Sequence, residues 1–394
     1  MKIYPNKFFG SNMQGAPQVS EDSSPGQVSA LLKAVLVDGF GSLAPDSIVF
    51  DAQTSLAKAS FSSGHSYVND SILLFEGVTP SDYNGEHRVI SVTSTEVYFE
   101  LDNDVSPINA TVRGTVKVAP LGWSISFADA NNEIIIFTAA GDLGNVSLRV
   151  DNSAYDGWSG NYARLCKISM VENITDINTY DEIYSSYWAA TGRYSSKGWD
   201  LVGDNRIFYL MMQYGAKNNF GGFVAGYIDT IRAGDRYHFI MNHLKDTNAG
   251  SETSGRWDLF NSSSYDYYTY FASNDVTTQN RLARKYHQLE GTDTWKKRGM
   301  GGYGSDVMLL PNPADNGFYI NTQPQMIQET GNCYRGTLPI LIEPLTNHSA
   351  LYRKNLQNLP EHEGKIFRFL KATYGNRSDF SDVLIGFDVS TVEQ

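Results

Sequence analysis

Short apolar runs, each bounded by glycine, proline, asparagine or serine, recur from residue 48 to the end of the chain. Several of them alternate apolar and polar residues, most clearly residues 97–101 and 112–118, and this two-residue period is that of a half-buried β-strand. Helical periodicity is scarce beyond residue 37. The chain is therefore predicted to be mainly β, with a β-sandwich-like host domain and one N-terminal amphipathic helix.

That helix is predicted to begin beside residues 24–27, SPGQ, which form a capping-box pattern with proline in the first helical position. Five apolar residues follow at helical spacing and form one stripe: Val28, Leu31, Leu32, Val35 and Leu36. Asp38-Gly39 is expected to end the helix. The stripe is predicted to pack on the chain's own domain.

Residues 48–118 are predicted to form an inserted small β-sandwich or barrel domain, because six strand-like runs fall within them. These runs are 48–50, 57–61, 72–75, 87–92, 96–101 and 111–118. The dipeptide Ala-Pro stands on both sides, at 44–45 and at 119–120. The host domain would then comprise residues 27–47 plus 119–394, with room for two subdomains. Its predicted strands are 123–127, 133–138, 146–150, 163–171, 206–213, 223–227, 237–243, 317–321, 338–342, 366–370 and 383–389.

Residues 1–26 are polar, rich in glycine, proline and serine, and lack hydrophobic periodicity, so they are predicted to be an extended N-terminal arm. Two interpretations remain open. The arm is a frayed terminus, or it crosses onto a neighbouring subunit and uses Tyr4, Phe8 and Phe9 as apolar anchors.

A second candidate interaction surface is the aromatic segment 262–271, SSSYDYYTYF, in a loop-rich region at 244–305. Tyrosine beside serine and aspartate offers rigid amphipathic contact area and adaptable hydrogen bonds. The simpler interpretation, which the pattern favours, is a strand that buries one aromatic face. If the segment is functional, a subunit contact is expected, through Tyr265, Tyr267, Tyr268 and Tyr270.

Charge and motif content argue against several classes of function. A net charge of −12 disfavours direct binding to nucleic acid, and no apolar stretch is long enough for membrane insertion. The N-terminus lacks the apolar region of a secretory signal. The seven histidines lack metal-ligand spacing, and neither a nucleophile elbow nor a phosphate-binding loop is present. We therefore expect no enzyme activity, no catalytic, cofactor-binding or metal-binding residues, and no cofactor.

Six short segments, in order along the chain, resemble a family of tailed-bacteriophage virion structural proteins. They are 34–41 (AVLVDGFG), 121–123 (LGW), 148–152 (LRVDN), 202–209 (VGDNRIFY), 335–339 (RGTLP) and 383–388 (VLIGFD). Asp38 and Phe40 depart from the asparagine and tyrosine expected there. Separately, residues 77–101 of the predicted insert resemble small all-β modules of phage tail proteins.

The resemblance implies a structural subunit of the neck or collar, the tail or the baseplate. Its partners would be other virion proteins and copies of itself, in a homo-oligomer assembled in the bacterial host cytoplasm and located in the virion. Because the family has no activity to carry over, the resemblance implies no catalytic residue. The alternative is a receptor- or glycan-binding tail-tip protein that contacts a host surface glycan through the insert or the tyrosine-rich segment.

Overall fold

The computed structural model describes residues 2–19, 24–101, 107–141, 143–154, 164–191, 198–214, 219–236, 238–243, 270–273, 280–282, 320–322, 325–329, 334–344, 349–374 and 381–393. The chain is 57% strand and 7% helical, which confirms the predicted mainly-β class.

The strands of the first half are β1 (Lys2–Ile3), β2 (Lys7–Gly10), β3 (Phe40–Leu43), β4 (Ser47–Asp51), β5 (Leu56–Ser60), β6 (Ile72–Thr79), β7 (Gly85–Val92), β8 (Glu96–Glu100), β9 (Val112–Val118), β10 (Ser124–Ala128), β11 (Ile134–Thr138), β12 (Ser147–Asp151), β13 (Arg164–Asp176) and β14 (Thr179–Thr191). The second half contributes β15 (Trp199–Gly203), β16 (Ile207–Tyr214), β17 (Asn219–Tyr227), β18 (Asp229–Thr230), β19 (Phe239–His243), β20 (Tyr270–Ser273), β21 (Asn280–Leu282), β22 (Ile320–Asn321), β23 (Gln325–Glu329), β24 (Tyr334–Leu338), β25 (Leu341–Pro344), β26 (Asn355–Leu359), β27 (His362–Tyr374), β28 (Ser381–Asp388) and β29 (Val392–Glu393).

The predicted helix is present as α1 (Gln27–Lys33), which a π-helical turn, Ala34–Asp38, continues. All five residues of the predicted stripe are buried, each at most 1% exposed, so the helix packs on its own domain as expected. Two short 3-10 turns, Ser81–Tyr83 and Ser349–Leu351, are the other helical segments within the described ranges.

The helix does not begin with the predicted capping box. Gly26 precedes it in a left-handed conformation (φ 81°), and no side chain of the preceding segment caps it. Instead the Val28 N–H donates to Oδ1 of Asn152 at 2.8 Å, and the Gly26 N–H donates to the Asn152 carbonyl at 2.9 Å. A residue from a distant strand end therefore satisfies the helix N-terminus, which a local pattern cannot show.

Strands β3 to β9 form one antiparallel sheet in the order β3-β9-β6-β7-β8-β5-β4. Its outer strand β4 is bonded to the segment that leads into β9. The Phe50 N–H donates to Oδ1 of Asn109, and the Ala110 N–H donates to the Ile48 carbonyl at 2.9 Å. These bonds close the sheet on itself, and we call residues 47–118 the barrel.

The barrel core is aromatic. The rings of Phe75 and Phe99 stack at 4.3 Å, and the ring of His87 contacts both. All six strands predicted between residues 48 and 118 are present within a few residues of their predicted bounds. Phe40 pairs with Val118, so the chain enters and leaves the barrel side by side. The buried core nevertheless continues from the barrel into the host, so an inserted domain remains a proposal.

The host is built on two sheets packed face to face. One has five strands, β10 to β14 in chain order, and the other has ten, in the order β18-β24-β23-β21-β20-β19-β17-β16-β15-β2. Trp188 of the smaller sheet stacks on Phe223 at 5.3 Å and donates from Nε1 to the Asn242 carbonyl at 2.7 Å. Trp123 lies edge-on to Phe208.

A third host sheet, in the order β22-β25-β28-β27-β26, packs on the larger one, with β27 against β16 and β17. The ring of Tyr209 lies 5.2 Å from that of Phe387, and its hydroxyl donates to the Pro339 carbonyl at 2.8 Å. Tyr209 thereby connects the two sheets through both apolar and polar contacts.

The N-terminal segment does not form the extended arm predicted for residues 1–26. Strand β2 pairs with β15, with Phe9 opposite Leu201, and β1 pairs with β29. Residues 2–19 complete the chain's own sheets, whereas residues 20–23 lie outside the described ranges. The prediction failed because a four-residue strand such as Lys7–Gly10 is too short to show periodicity.

Candidate interaction surfaces

The three predicted anchors of the N-terminal segment are buried by the chain itself. Tyr4, Phe8 and Phe9 are 5%, 3% and 1% exposed. The Arg368 guanidinium lies 4.2 Å above the Phe8 ring, and that of Arg88 lies 5.4 Å from the Tyr4 ring. In this structure they join the N-terminal segment to the barrel and to the third host sheet, and they present no surface to a neighbour.

The tyrosine-rich surface is described only at its last predicted residue. Tyr265, Tyr267 and Tyr268 lie outside the described residues. Tyr270 opens β20, where its backbone pairs with His243. The strand interpretation agrees with the structure at that position, and a role of the segment in binding stays a prediction.

A buried charge network at Asp200 joins the N-terminal segment to the third host sheet. Asp200 is fully buried and accepts hydrogen bonds from Nε of Arg353 at 2.7 Å and from the Tyr352 hydroxyl at 2.9 Å. Nη2 of Arg353 also donates to Oγ of Ser11 and to the Trp199 carbonyl. Burial raises the pKa of Asp200, and the positive charge of Arg353 opposes this shift.

The network continues to the barrel through Arg368. Nη1 of Arg368 donates to the Arg353 carbonyl at 2.7 Å and to Oδ1 of Asn355 at 3.2 Å. The Asn355 and Gln357 amides in turn donate to the two carboxylate oxygens of Asp70, in the barrel. Burial lowers the pKa of the Arg368 guanidinium, and the Asp200 carboxylate opposes this shift.

This network can fix three parts of the chain against one another, which is a structural role. Sequence reasoning missed it because Asp70, Asp200 and Arg353 are isolated residues far apart in the chain, with no spacing to recognise. The backbone of Arg353 is in the left-handed region (φ 57°), which is unfavourable for a residue with a side chain. Such a conformation persists where the surrounding contacts hold it in place.

The segments that carry the family resemblance are bonded to one another inside the protein. The Leu36 carbonyl accepts hydrogen bonds from the Gly122 and Trp123 N–H groups, at 3.0 and 2.9 Å. Nε1 of Trp123 donates to the Asp204 carbonyl at 3.0 Å. The contacts of Tyr209 with Pro339 and Phe387 add two more segments, and Asn152 of the segment 148–152 contacts the helix at Gly26 and Val28, outside residues 34–41. We call this set of contacts the buried framework.

The β13–β14 hairpin provides a large solvent-facing feature of the smaller host sheet. Each strand has thirteen residues, and beyond Val171 they pair only with each other among the described strands. The hairpin end returns over the sheet, because Nε of Arg149 donates to the Ile177 carbonyl and its guanidinium lies 5.3 Å from the Tyr180 ring. Strand β14 is left at the sheet edge.

Four large apolar side chains are exposed within the described part of the chain. Ile108 (72%) and Val112 (52%) lie near one another in sequence at the point where the chain enters β9, and Ile231 and Val392 lie elsewhere. Single exposed apolar residues are common in soluble proteins, and this pair is too small to define a docking surface.

The described residues contain no group of three or more His, Cys, Asp or Glu side chains that could hold a metal ion. No helix among them has the length and apolar character needed to cross a bilayer.

The sequence matches no model of a known protein family, and no curated protein matches it.

Proposed function

We propose that this protein is a structural subunit of a tailed-phage particle, in the neck or collar, the tail or the baseplate. It would act by homo-oligomeric assembly and by contacts with other virion proteins, without catalysis. It would be assembled in the host cytoplasm and reside in the virion.

The buried framework is the observation that carries this proposal. Five of the six segments that resemble the phage family contact one another in the interior, for example Leu36 with Trp123, and the sixth, 148–152, contacts the helix that precedes 34–41. Because the matched residues form the scaffold and not a cleft, they support a structural role.

The polar clusters of the described residues support the same conclusion. Asp200, Arg353 and Arg368 bond the sheets together, and the buried pair of Arg335 with Asp235 (3.2 Å) bonds the turn after β18 to β24 at the far end of the larger sheet. A subunit that must keep one shape under contact from several partners benefits from sheets fixed in this way. An inserted barrel at 48–118 would then be an accessory module on a rigid host.

The experiment is to find the protein in the particle. Particles of the phage that encodes this chain would be purified by density gradient, and its copy number measured by quantitative mass spectrometry, with immunogold labelling to locate it. We expect a constant copy number and a label at one position. A protein abundant in the lysate but absent from purified particles would refute the proposal.

The same experiment addresses the alternative, a receptor- or glycan-binding tail-tip protein. A label confined to the distal tip, together with binding of the purified chain to host cells or envelope polysaccharide, would favour the alternative over an internal assembly subunit.

A further inference from the structure

The two ends of the chain lie together against the barrel. Strand β1 pairs with β29, so that Ile3 is opposite Val392. We call residues 2–4 and 389–393 the strap. Because chain ends stay ordered where other parts of the protein hold them, the contacts of the strap show what fixes it.

Arg88 of the barrel holds the C-terminal half of the strap. Its guanidinium donates from Nη2 to the Val389 carbonyl at 2.8 Å and from Nε to Oγ1 of Thr391 at 3.1 Å. Arg88 is 3% exposed, so a guanidinium that lost these acceptors would be left partly unsatisfied in the interior.

The N-terminal half of the strap contacts the same part of the barrel. Nζ of Lys2 lies 2.8 Å from Oε2 of Glu100. Tyr4 belongs to a small buried cluster with Ile72, which is separate from the main core. Since the Arg88 guanidinium also lies 5.4 Å from the Tyr4 ring, one barrel residue contacts both halves of the strap.

Polar contacts also join the barrel to the host away from the strap. The Lys7 ammonium pairs with Glu86, and the Asn355 and Gln357 amides donate to Asp70. Polar interfaces between two parts of one chain permit relative motion more readily than large apolar ones. The barrel is therefore suited to change its position on the host.

The stem of the barrel provides the point about which it could turn. The main chain enters and leaves through β3 and β9, where Phe40 is paired with Val118. The Phe40 ring lies 6.1 Å from that of Phe9 and 6.4 Å from that of Trp199, so the stem is anchored in the host by apolar packing. Adjacent crossing strands with a packed base have the geometry of a hinge.

We propose that the barrel is a hinged module, that β3 and β9 form its pivot, and that the strap is the latch that holds it against the host. Opening of the strap would break the bonds of Arg88 and the pair of Lys2 with Glu100, so fewer contacts would oppose rotation about the stem. Short strands at chain ends open at a lower free energy than the core. A partner that binds a chain end in the open state alone would therefore move the barrel. This inference does not depend on the proposed function.

The test measures single-molecule energy transfer between a dye on the barrel and a dye on the host, in the full chain. The dyes are attached at Gln53→Cys and Asn131→Cys, two exposed positions, in a chain that also carries Cys333→Ser. Cys166 is buried and would stay unlabelled.

Three changes are compared with the wild type. Arg88→Met removes the strap bonds and leaves a long apolar side chain. We expect it to raise the population of a second transfer state about tenfold or more, because hydrogen bonds from a charged group are lost. Deletion of residues 391–394 leaves Arg88 in place and should populate the same state. The control, Arg113→Met, removes an exposed barrel bond to the Asp46 carbonyl and should behave like the wild type.

Hydrogen exchange separates movement of the barrel from fraying of the chain ends. We expect the strap amides to exchange about tenfold faster in Arg88→Met, while those of β5 and β8 keep their protection. Faster exchange of the strap without a second transfer state would mean that the ends fray and the barrel stays in place. That result, unchanged exchange of the strap, or an equal loss of protection in β5 and β8 would overturn the proposal.

Discussion

In the barrel, every strand finds its partners within residues 40–118: β4 pairs with β5, β6 with β7 and β7 with β8, and β5 and β6 also pair with β8 and β9. In the host, β2 pairs with β15 and β1 with β29, so the sheets depend on strands from opposite ends of the chain. The barrel is filled by apolar rings such as Phe75 and Phe99. The host seams also contain buried charges, above all Asp200.

The difference shows two ways of obtaining a defined β structure. An apolar core suffices where all strand partners come from one continuous stretch of the chain. Where the paired strands are far apart in sequence, apolar packing alone does not select one arrangement of the sheets. A network of directed hydrogen bonds can select it. The barrel should therefore respond mainly to losses of packing and of individual backbone contacts, and the host to losses of single polar groups.

The strongest test of this difference is Asp200→Ala. Loss of the carboxylate leaves Arg353 and Arg368 without their shared counter-charge, and removal of one partner from a buried pair costs about 3–5 kcal/mol. Urea denaturation followed by tryptophan fluorescence would measure the loss. As a control, Lys365→Ala removes an ion pair with Asp388 in which the lysine is half exposed, and should cost under about 1 kcal/mol. Equal losses in the two variants would contradict a special role for Asp200.

Tyr67→Phe tests the junction between the barrel and the host loop. The Tyr67 hydroxyl lies 2.7 Å from the Gly41 carbonyl and 2.8 Å from that of Val116, and burial raises its pKa. Without the hydroxyl, the Gly41 and Val116 carbonyls lose the single O–H donor that they share, which should cost about 1–3 kcal/mol in thermal or urea unfolding. Tyr98→Phe, which removes a hydroxyl bonded to the partly exposed carboxylate of Glu96, should have a smaller effect.

Asn152→Ala tests the cap that the host supplies to the helix. The Val28 N–H would lose its side-chain acceptor, and the loss of an N-cap acceptor costs about 1 kcal/mol. Faster hydrogen exchange of the amides at 27–30 would locate the effect. Asn152→Asp keeps an acceptor at the same place and should retain most of the protection. If both variants exchange like the wild type, Asn152 is not the cap.

The smallest expected effect is a pH dependence at His65 of the barrel. Nδ1 of His65 accepts the Tyr67 N–H at 3.1 Å, so the neutral ring carries its proton on Nε2, which donates to the Glu96 carbonyl. Burial lowers the pKa of His65. The unfolded chain, with a histidine pKa of about 6.5, then binds more protons in acid. The contribution of His65 to the free energy of unfolding should be fully present above that pH and be lost as the pH falls below it.

An NMR titration of the His65 ring would measure its pKa directly. His65→Phe should flatten the fall in stability between neutral pH and about pH 5. A His65 pKa at or above the value for unfolded chains would contradict the assigned tautomer.

The barrel strands and the helix were predictable because their patterns are local. Val28 and Leu36 show helical spacing, and 112–118 alternates with the strand period. The predicted strand at 338–342 fails for a local reason that the pattern hides. β24 ends at Leu338 and β25 begins at Leu341, because Ile340 takes a left-handed conformation (φ 58°). An apolar run does not reveal such a break.

The remainder of the site depended on distant residues. Nothing near Asp200 in the sequence points to Arg353, and nothing near the helix points to Asn152. The sequence identifies Phe8 and Phe9 as apolar anchors. It does not show what they contact, because the polar residues around them carry no strand or helix pattern. Long-range pairing decides these contacts, and a single sequence carries no direct record of it.

The pairing of β3 with β9 has a mechanical consequence. Phe40 and Val118 are partners, so the host chain enters and leaves the barrel at points about 5 Å apart. Tension applied through the host would pull these two ends in opposite directions and open the β3–β9 ladder one hydrogen bond at a time, as a zipper opens. In single-molecule stretching, the first rupture should therefore occur at low force and leave the Phe75–Phe99 core intact.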